Sequence, residues 1–261
     1  MTLLRDGYRP PGFRPTIENV GDGNRTGTVV EVLAAVFTVR PVDAPADRPE
    51  GHPALHVLLW QRAQAPDADR WALPGGPVLT DEDVDSSTRR QLAEKVDLTR
   101  VAHLEQTGVF SAPERVPGAR VVASGFLGLV PQDPGRPAPR LPADTAWHPV
   151  DHLPATAFDH GGIVEQARQR LRGKLSYTNI GFALAPAEFT MAELSRIYTA
   201  SLGHEVDVTN LYRILHRRRM LEPTGRTAPP GPSGGRPAAM YRFAVQRYRV
   251  TDPFAAFRPP I

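Results

Sequence analysis

Residues 75–98 concentrate side chains that could hold a metal ion. The segment reads GGPVLTDEDVDSSTRRQLAEKVDL, and its chemistry-bearing residues are Glu82, Arg90, Gln91, Glu94 and Lys95. Positions 91, 94 and 95 are three and four residues apart, so they are neighbours on one face of a helix. Mg²⁺ prefers hard oxygen ligands in near-octahedral geometry. Here the carboxylates of Glu82 and Glu94 would have only one neutral amide oxygen, from Gln91, to help them.

Lys95 makes this position worse for a cation. An ammonium has no lone pair to donate to a metal, and it carries the same sign of charge. At ~4 Å and an effective dielectric constant of ~20, each unit of charge on the ion meets a repulsion of ~4 kcal/mol. The sequence therefore predicts no bound metal and no cofactor at this helix. A plain surface helix without any site is the structural alternative.

The surrounding elements indicate a mixed α/β domain. A helix is expected from Asp83 to Val96, with an approximate capping box between Thr80 and Asp83. β-branched and apolar runs predict three strands, at 28–39, 55–62 and 120–130. Stretches rich in proline predict loops at 41–54 and 131–144. Strands mixed with one clear helix before residue 158 favour an α/β architecture.

Length and charge indicate two parts with different partners. The chain has 261 residues, enough for one large or two modest domains. Residues 1–159 contain 16 Lys and Arg against 21 Asp and Glu, a net charge of −5. Residues 160–261 contain 15 against 7, a net charge of +8, which suggests that this half faces a polyanion.

The composition excludes several classes of protein. The absence of cysteine excludes disulfides, thiolate metal sites and cysteine nucleophiles. No run approaches 18 apolar residues, so no membrane span is expected. The N-terminus lacks the apolar stretch of a signal peptide, so a cytoplasmic location is expected.

The basic half has the pattern of a winged helix-turn-helix. An amphipathic helix at 161–175 marks the junction between the two parts. A helix follows at 189–203, with Thr190 and Glu193 as a capping box and Gly203 at its end. A second helix, 208–221, is capped by Asp207. Val208, Leu211 and Leu215 are expected to form its buried stripe.

The open face of the second helix is polar and basic, as a DNA-reading helix requires. Its residues are Thr209, Asn210, Arg213, His216 and Arg217. Residues 221–243 then predict a hairpin with a Gly/Pro-rich tip flanked by Arg226 and Arg236, which could reach phosphates. Taken alone, the HRRR run could be a solvated helix face. One winged helix contacts too little DNA to be selective, so a homodimer on an inverted repeat of double-stranded DNA is expected.

The segment 75–98 resembles the Nudix box, G-x5-E-x7-R-E-U-x-E-E-x-G-U. It keeps Gly76, Glu82, Arg90, Leu92, Glu94 and Leu98, and departs from the pattern at Gln91, Lys95 and Asp97. The preceding WALPGG at 71–76 is also similar to the Nudix approach to that helix. Because metal-assisted attack of water on a pyrophosphate needs the ion, we expect hydrolysis to be lost.

The order of parts resembles the Nudix-related transcriptional regulators of the NrtR family over residues 28–245. The segments that carry the resemblance include FDHGGIVEQARQRLRGKLSYT, FTMAELSRIY and GRPAAMYRF. It implies an α/β/α Nudix-like sandwich followed by an α+β winged helix-turn-helix domain. It also implies a dimeric repressor of NAD-related or sugar-metabolism genes that binds ADP-ribose or a related nucleotide. The implied pocket residues are Trp71, Gly75, Gly76, Glu82 and Arg115.

The expected organisation has five parts: an N-terminal arm (1–27), a Nudix-like effector-binding domain (28–158), a linker helix (159–179), a winged helix-turn-helix domain (180–248) and a tail (249–261). His160 is expected to be a structural histidine rather than a metal ligand. Two alternatives stay open. One is an active Mg²⁺-dependent ADP-ribose pyrophosphatase with a basic appendage. The other is an RNA-processing Nudix protein, although the basic half lacks an aromatic-rich sheet surface for RNA.

Overall fold

A computed structural model describes residues 27–42, 52–131, 140–229 and 237–252. The N-terminal arm expected at 1–27 therefore lies outside the described residues except at its last position, as does most of the tail. The first part of the chain builds one seven-stranded sheet from β1 (Val29–Pro41), β2 (Pro53–Gln61), β3 (Trp71–Ala72), β4 (Gly75–Pro77), β5 (His103–Phe110), β6 (Val121–Leu129) and β7 (Thr145–Pro149). Its main path runs β3-β2-β1-β6-β5, with β4 paired to β1 and β7 to β2.

The strands β1, β2 and β6 confirm the three predicted ones, but the sequence reading missed the other four. β3 and β4 contain only two and three residues, too few to show a period. β5 is half-exposed along most of its length and carries polar residues, so it lacks the apolar pattern that predicts a strand. β7 ends at Pro149, a residue that argues against a strand. These strands depend on β1, β2 and β6 as pairing partners rather than on their own sequence pattern.

Helices cover both faces of the sheet, which confirms the three-layer architecture. Alternate residues of a strand point to opposite faces. Val32, Ala34 and Val36 of β1 pack with Leu92 and Val96 of α1 (Val84–Val96). The odd-numbered residues of β1, from 33 to 39, instead share a cluster with α2 (His160–Tyr177). The helix of the segment 75–98 is therefore held on one face of the sheet, and the junction helix lies on the other.

The second part of the chain is a winged helix-turn-helix, as expected. It contains β8 (Phe189–Thr190), α3 (Met191–Leu202), α4 (Val208–Arg217), β9 (Leu221–Thr227) and β10 (Ala239–Phe243). Thr190 and Glu193 form the predicted capping box, and Gly203 ends α3 in the left-handed conformation with φ 79°. β8, which the sequence reading missed, pairs with β10 and completes a three-stranded sheet.

Three local expectations were wrong. The cap of α1 is Asp83 alone, whose Oδ1 accepts from the Ser86 amide at 2.7 Å, and Thr80 takes no part in it. α4 ends at Arg217 rather than at residue 221, because Arg219 adopts a left-handed φ of 51° and turns the chain into β9. Val208 is 40% exposed, since no described element covers the first turn of α4. Met220, rather than Val208, joins Leu211 and Leu215 in the core.

The two parts are joined through α2 by one continuous core. Buried residues of the sheet, of α2 and of the winged helix belong to the same apolar cluster. At the end of α2, the Lys174 ammonium lies 2.9 Å from Glu105 of β5 and donates to the Tyr248 hydroxyl at 2.8 Å. Asn179 donates to the carbonyl oxygens of Val245 and Arg247 at 3.0 and 2.9 Å. A movement of α2 would therefore change contacts in both parts.

Candidate functional site: a Nudix scaffold without a metal cluster

The two surviving carboxylates of the box are both bound by Arg90. Its Nε donates to Glu82 Oε2 at 2.9 Å, and its NH1 donates to Glu94 Oε2 at 3.2 Å. The other Glu82 oxygen accepts from the Leu79 amide at 2.9 Å and from Arg90 NH2. The hydrogen-bonded guanidinium of Arg90 lowers the pKa of Glu82 to about 2. These carboxylates fix the loop before α1 to the helix, and neither is left without a cationic partner.

Gln91 braces α1 against β4. Its side chain is buried, and the amide orientation that satisfies its hydrogen bonds places the nitrogen 3.0 Å from the Gly75 carbonyl oxygen. In the same orientation its oxygen accepts from Arg90 NH1 at 3.1 Å. The one neutral oxygen that Gln91 could have offered to a metal is therefore already bonded within the protein. The amide is used inside the protein, because the buried carbonyl of Gly75 needs a donor.

The predicted pocket residues Gly75 and Gly76 have a packing reason to be glycine. Both are buried in β4 where it pairs with β1. A Cβ on Gly75 would lie 2.0 Å from the Val32 carbonyl oxygen, and one on Gly76 would lie 2.6 Å from the terminal amide of Gln91. Their role in binding a ligand stays a prediction.

Arg115 is the most deeply buried cation of the predicted site. Its side chain is 1% exposed and forms a bidentate salt bridge with Asp159. Nε donates to Oδ2 at 2.9 Å, and NH2 donates to Oδ1 at 2.8 Å. Its NH1 donates to Glu31 of β1 at 2.7 Å. These pairs raise the Arg115 pKa further above its usual range, although burial alone would lower it. Arg115 thus ties its own loop to β1 and to Asp159, which directly precedes α2.

Trp71 and His160 lie on the α2 side of the sheet. Trp71 packs against the apolar cluster of that side, and its ring meets the His148 ring edge-on at 4.2 Å. His160 is buried, and its Nδ1 accepts from the Leu73 amide at 3.0 Å. Burial lowers the pKa of His160 to about 4, so the ring is neutral. A neutral histidine with an internal partner is the structural residue that the sequence reading expected.

Lys95 is half-buried on the inner side of α1. Its Nζ lies 4.6 Å from the centre of the Trp60 ring, within the range of a cation–π contact. Burial, together with the positive charge of nearby Arg62, lowers the pKa of Lys95 to about 8. Lys95 is thus a cation held in a place that disfavours charge.

The donor set does not fit a divalent ion. Nowhere in the four described ranges do three His, Asp or Glu side chains converge as metal ligands would. At the box itself, Arg90 donates hydrogen bonds to the carboxylates of Glu82 and Glu94. The Gln91 amide donates to the Gly75 carbonyl oxygen, and Lys95 adds a positive charge. The arrangement does not have the ligands that Mg²⁺ requires.

Sequence reasoning missed four residues that shape this site: Glu31, Trp60, Arg62 and Asp159. Glu31 and Asp159 lie 84 and 44 residues from Arg115 along the chain. Trp60 and Arg62 are at the end of β2 and just beyond it. No local pattern marks them, because each matters only through a partner that the fold brings near.

The second candidate interface is the outer face of α4. All five predicted reading residues, Thr209, Asn210, Arg213, His216 and Arg217, are exposed. The helix begins at a capped N-terminus, where Asp207 Oδ1 accepts from the Asn210 amide at 2.7 Å. Arg213 NH2 donates to Asn210 Oδ1 at 2.8 Å, so the two side chains are held together on the surface. An exposed polar face on a capped helix has the form that enters a major groove.

The wing carries one of the two predicted phosphate contacts. Arg226 is exposed on β9, 3.0 Å from Glu188. Arg236 lies outside the described residues. At its base, the wing is tied to α4 by Tyr212, whose ring centre lies 5.7 Å from that of Tyr241 on β10. The helix and the wing therefore form one surface.

A Nudix-type fold whose described residues form no cluster of metal ligands, followed by a winged helix with an exposed polar helix face, defines a regulator built on an enzyme scaffold. Comparisons with known proteins agree. Residues 37–167 match the NUDIX domain model, and residues 181–243 match the model of the NrtR DNA-binding winged helix domain. The ADPR responsive transcriptional repressor NtrR of Acinetobacter baylyi is 33% identical over 205 residues, which is 76% of this chain and 80% of that protein.

Solved structures show the same two-part architecture. The crystal structure of Shewanella oneidensis NrtR matches with a TM-score of 0.65 and 29% identity, over 82% of this chain and 94% of that one. The same protein complexed with a 27mer DNA matches with a TM-score of 0.64 and 28% identity, over 82% and 93% of the two chains. This chain belongs to the NrtR family of Nudix-related transcriptional regulators. None of the helices in its described ranges has the length and apolar character needed to cross a membrane.

Proposed function

We propose that this protein is a cytoplasmic, dimeric transcriptional repressor that binds an inverted-repeat operator and senses ADP-ribose or a related nucleotide. Its targets would be genes of NAD-related or sugar metabolism. The observation that carries the proposal is the exposed, capped face of α4, joined through α2 to a Nudix scaffold that has no cluster of metal ligands in its described part. The similarity to the A. baylyi repressor, whose name states that it responds to ADPR, supports the same effector here.

The route from effector to DNA runs along α2 in this proposal. Asp159 at the start of α2 is bound by Arg115 beside the predicted pocket. Eighteen residues of helix, ~27 Å at ~1.5 Å per residue, separate it from the other end, where Lys174 is bound to Tyr248. A nucleotide that binds more tightly to one position of α2 than to another shifts the protein toward that position. We propose that this shift weakens DNA binding.

The proposal is tested by selecting genomic DNA fragments with the purified full chain, with and without ADP-ribose. We expect a small set of fragments that share an inverted repeat, with half-site centres about one or two helical turns apart, ~10 or ~20 bp. Millimolar ADP-ribose should release them. Uniform recovery of all fragments in proportion to their length would contradict sequence-specific recognition. Specific fragments that ADP-ribose leaves bound would contradict only the proposed effector.

We also propose that the Nudix-like domain has no hydrolase activity. The alternative, an ADP-ribose pyrophosphatase, needs carboxylates that gather metal charge and activate water. Glu82 and Glu94 are instead both bound to Arg90, and Lys95 adds a positive charge.

Incubation of the protein with ADP-ribose and Mg²⁺ is accordingly expected to release no AMP above the background of a heat-inactivated sample. AMP would be measured by chromatography over many equivalents of substrate, with an active Nudix pyrophosphatase as the positive control for the assay. Steady release of AMP over multiple turnovers would show that the protein is an enzyme after all.

A further inference from the structure

We propose that Lys95 takes the place of the Nudix metal ion, and that its ammonium, assisted by Arg62, binds the diphosphate of the effector without any divalent cation. This inference rests on the proposed sensing function and makes it specific to one pair of side chains. It follows from how the charges of the site are paired.

The first step is that Lys95 has hydrogen-bonding capacity left over. An ammonium has three N–H donors. In the described part of the chain, Lys95 has neither a hydrogen-bonded nor an ion-paired partner, and its recorded contact is the Trp60 ring at 4.6 Å. An aromatic face compensates only part of the lost hydration of a half-buried cation. A ligand oxygen atom would supply the missing acceptor.

The second step is that the neighbouring cations divide into paired and unpaired ones. Arg90 is paired with Glu82 and Glu94. Arg115 is paired with Glu31 and Asp159.

Arg62 and Lys95 are left without a carboxylate within hydrogen-bonding or ion-pairing distance among the described residues. Among the described residues, the Arg62 side chain donates only through Nε, to the Pro66 carbonyl oxygen at 3.2 Å, and its guanidinium carbon lies 4.9 Å from the Phe158 ring centre. Arg62 follows Trp60, the ring that Lys95 contacts, by two residues. The charge of Arg62 lowers the Lys95 pKa, whereas the carboxylates of Glu31 and Glu94, which lie beyond ion-pairing distance, raise it. Two mutually repelling cations without carboxylate partners are stabilised by a shared anion.

The third step is the chemistry of that anion. A diphosphate carries about two negative charges and many acceptor oxygens, and charge-assisted hydrogen bonds to it are stronger than neutral ones. Metal-dependent Nudix proteins neutralise such a group with ions held by carboxylates. Here Lys95, on the helix that binds the metal in those proteins, carries the positive charge itself. The diphosphate can therefore be held without being hydrolysed. The substitution at position 95 would thus convert a catalytic position into a binding one.

The test is titration calorimetry of the full chain with ADP-ribose, first in EDTA and then in Mg²⁺. The unmodified protein should bind equally in both conditions, within about twofold. Lys95→Met, which keeps the length but not the charge, should weaken binding in EDTA by ~10-fold to ~100-fold, the range of a hydrogen bond to a charged group. Lys95→Glu should bind more weakly still in EDTA and recover part of its affinity on addition of Mg²⁺.

The matched control is Arg89→Met, because Arg89 lies on the same helix but is 56% exposed and pairs with Asp85. It removes the same charge away from the site, so affinity should stay within about twofold of the unmodified protein. Melting temperatures check the folds. Lys95→Met should be at least as stable as the unmodified protein, since it removes a charge that burial disfavours.

Two outcomes would overturn the inference: a requirement of the unmodified protein for Mg²⁺, or unchanged affinity in Lys95→Met. Inorganic pyrophosphate serves as a second probe that lacks the nucleoside. If pyrophosphate binds in EDTA through Lys95 but ADP-ribose does not bind, the proposed effector is wrong and the role of Lys95 stands. If neither probe binds the unmodified protein, the role of Lys95 and the proposed effector both fail, while operator binding is tested separately by the fragment selection.

Discussion

Replacing Arg115 by alanine is expected to lower the free energy of unfolding by ~3 kcal/mol, the largest loss expected for a single polar side chain of this site. Removing one partner of a buried charged pair typically costs ~3–5 kcal/mol, because the other charge stays without compensation. The lower end applies here. The Arg115 side chain is only 1% exposed, but Glu31 and Asp159 are 20% and 33% exposed and keep some water.

Thermal or denaturant unfolding followed by circular dichroism measures this loss. A shift of ~6–12 °C in melting temperature is expected for a domain of this size. Arg120→Ala is the matched control, because Arg120 donates a single exposed hydrogen bond to the Ser111 carbonyl oxygen at 2.9 Å. Its effect should stay below ~1 kcal/mol. Similar small losses for both variants would mean that the Arg115 network contributes little to stability.

The second large effect is expected at α4 and concerns sequence-specific DNA binding. A pair of hydrogen bonds from an arginine to guanine discriminates against other bases by ~1–3 kcal/mol. Arg213→Ala should therefore weaken binding to the operator by ~5-fold to ~150-fold and change binding to scrambled DNA much less. Asn210, which accepts from Arg213 in the free protein, should respond in the same direction, because it is placed to pair with adenine.

Arg226→Ala provides the contrast, since a phosphate contact positions the protein without reading sequence. It should weaken binding to both DNAs alike and reduce the salt dependence by about one unit. The ion pair of Arg226 with Glu188 must open on binding, so the loss should be modest. Arg89→Ala, on the Nudix-like part, controls for net charge. If Arg213→Ala and Arg226→Ala lost the same affinity on both DNAs, α4 would not be the reading helix.

The features that could be predicted from the sequence are those that depend on residues close together along the chain. The Nudix box spacing, the capping box of Thr190 and Glu193, and the cap at Asp207 involve positions three to eight residues apart. Such contacts form within a single loop or helix, so their residue types and order are enough to recognise them. The expectation that the box binds no metal also rests on local sequence, because a lysine repels a cation wherever the helix is placed, and it stays a prediction.

The tertiary structure decided which partners the site residues have. The sequence showed only that Gln91 has an amide oxygen, and the fold places that amide against the Gly75 carbonyl oxygen, which needs a donor. The resemblance placed Arg115 beside the pocket, which stays a prediction, while its partners Glu31 and Asp159 come from far along the chain. Val208 fitted the apolar stripe of α4 by spacing and is exposed, because burial depends on what packs opposite. Short strands such as β4 and β8 likewise exist only through their pairing with β1 and β10. Contacts of this kind arise from packing between distant segments, and no local periodicity encodes them.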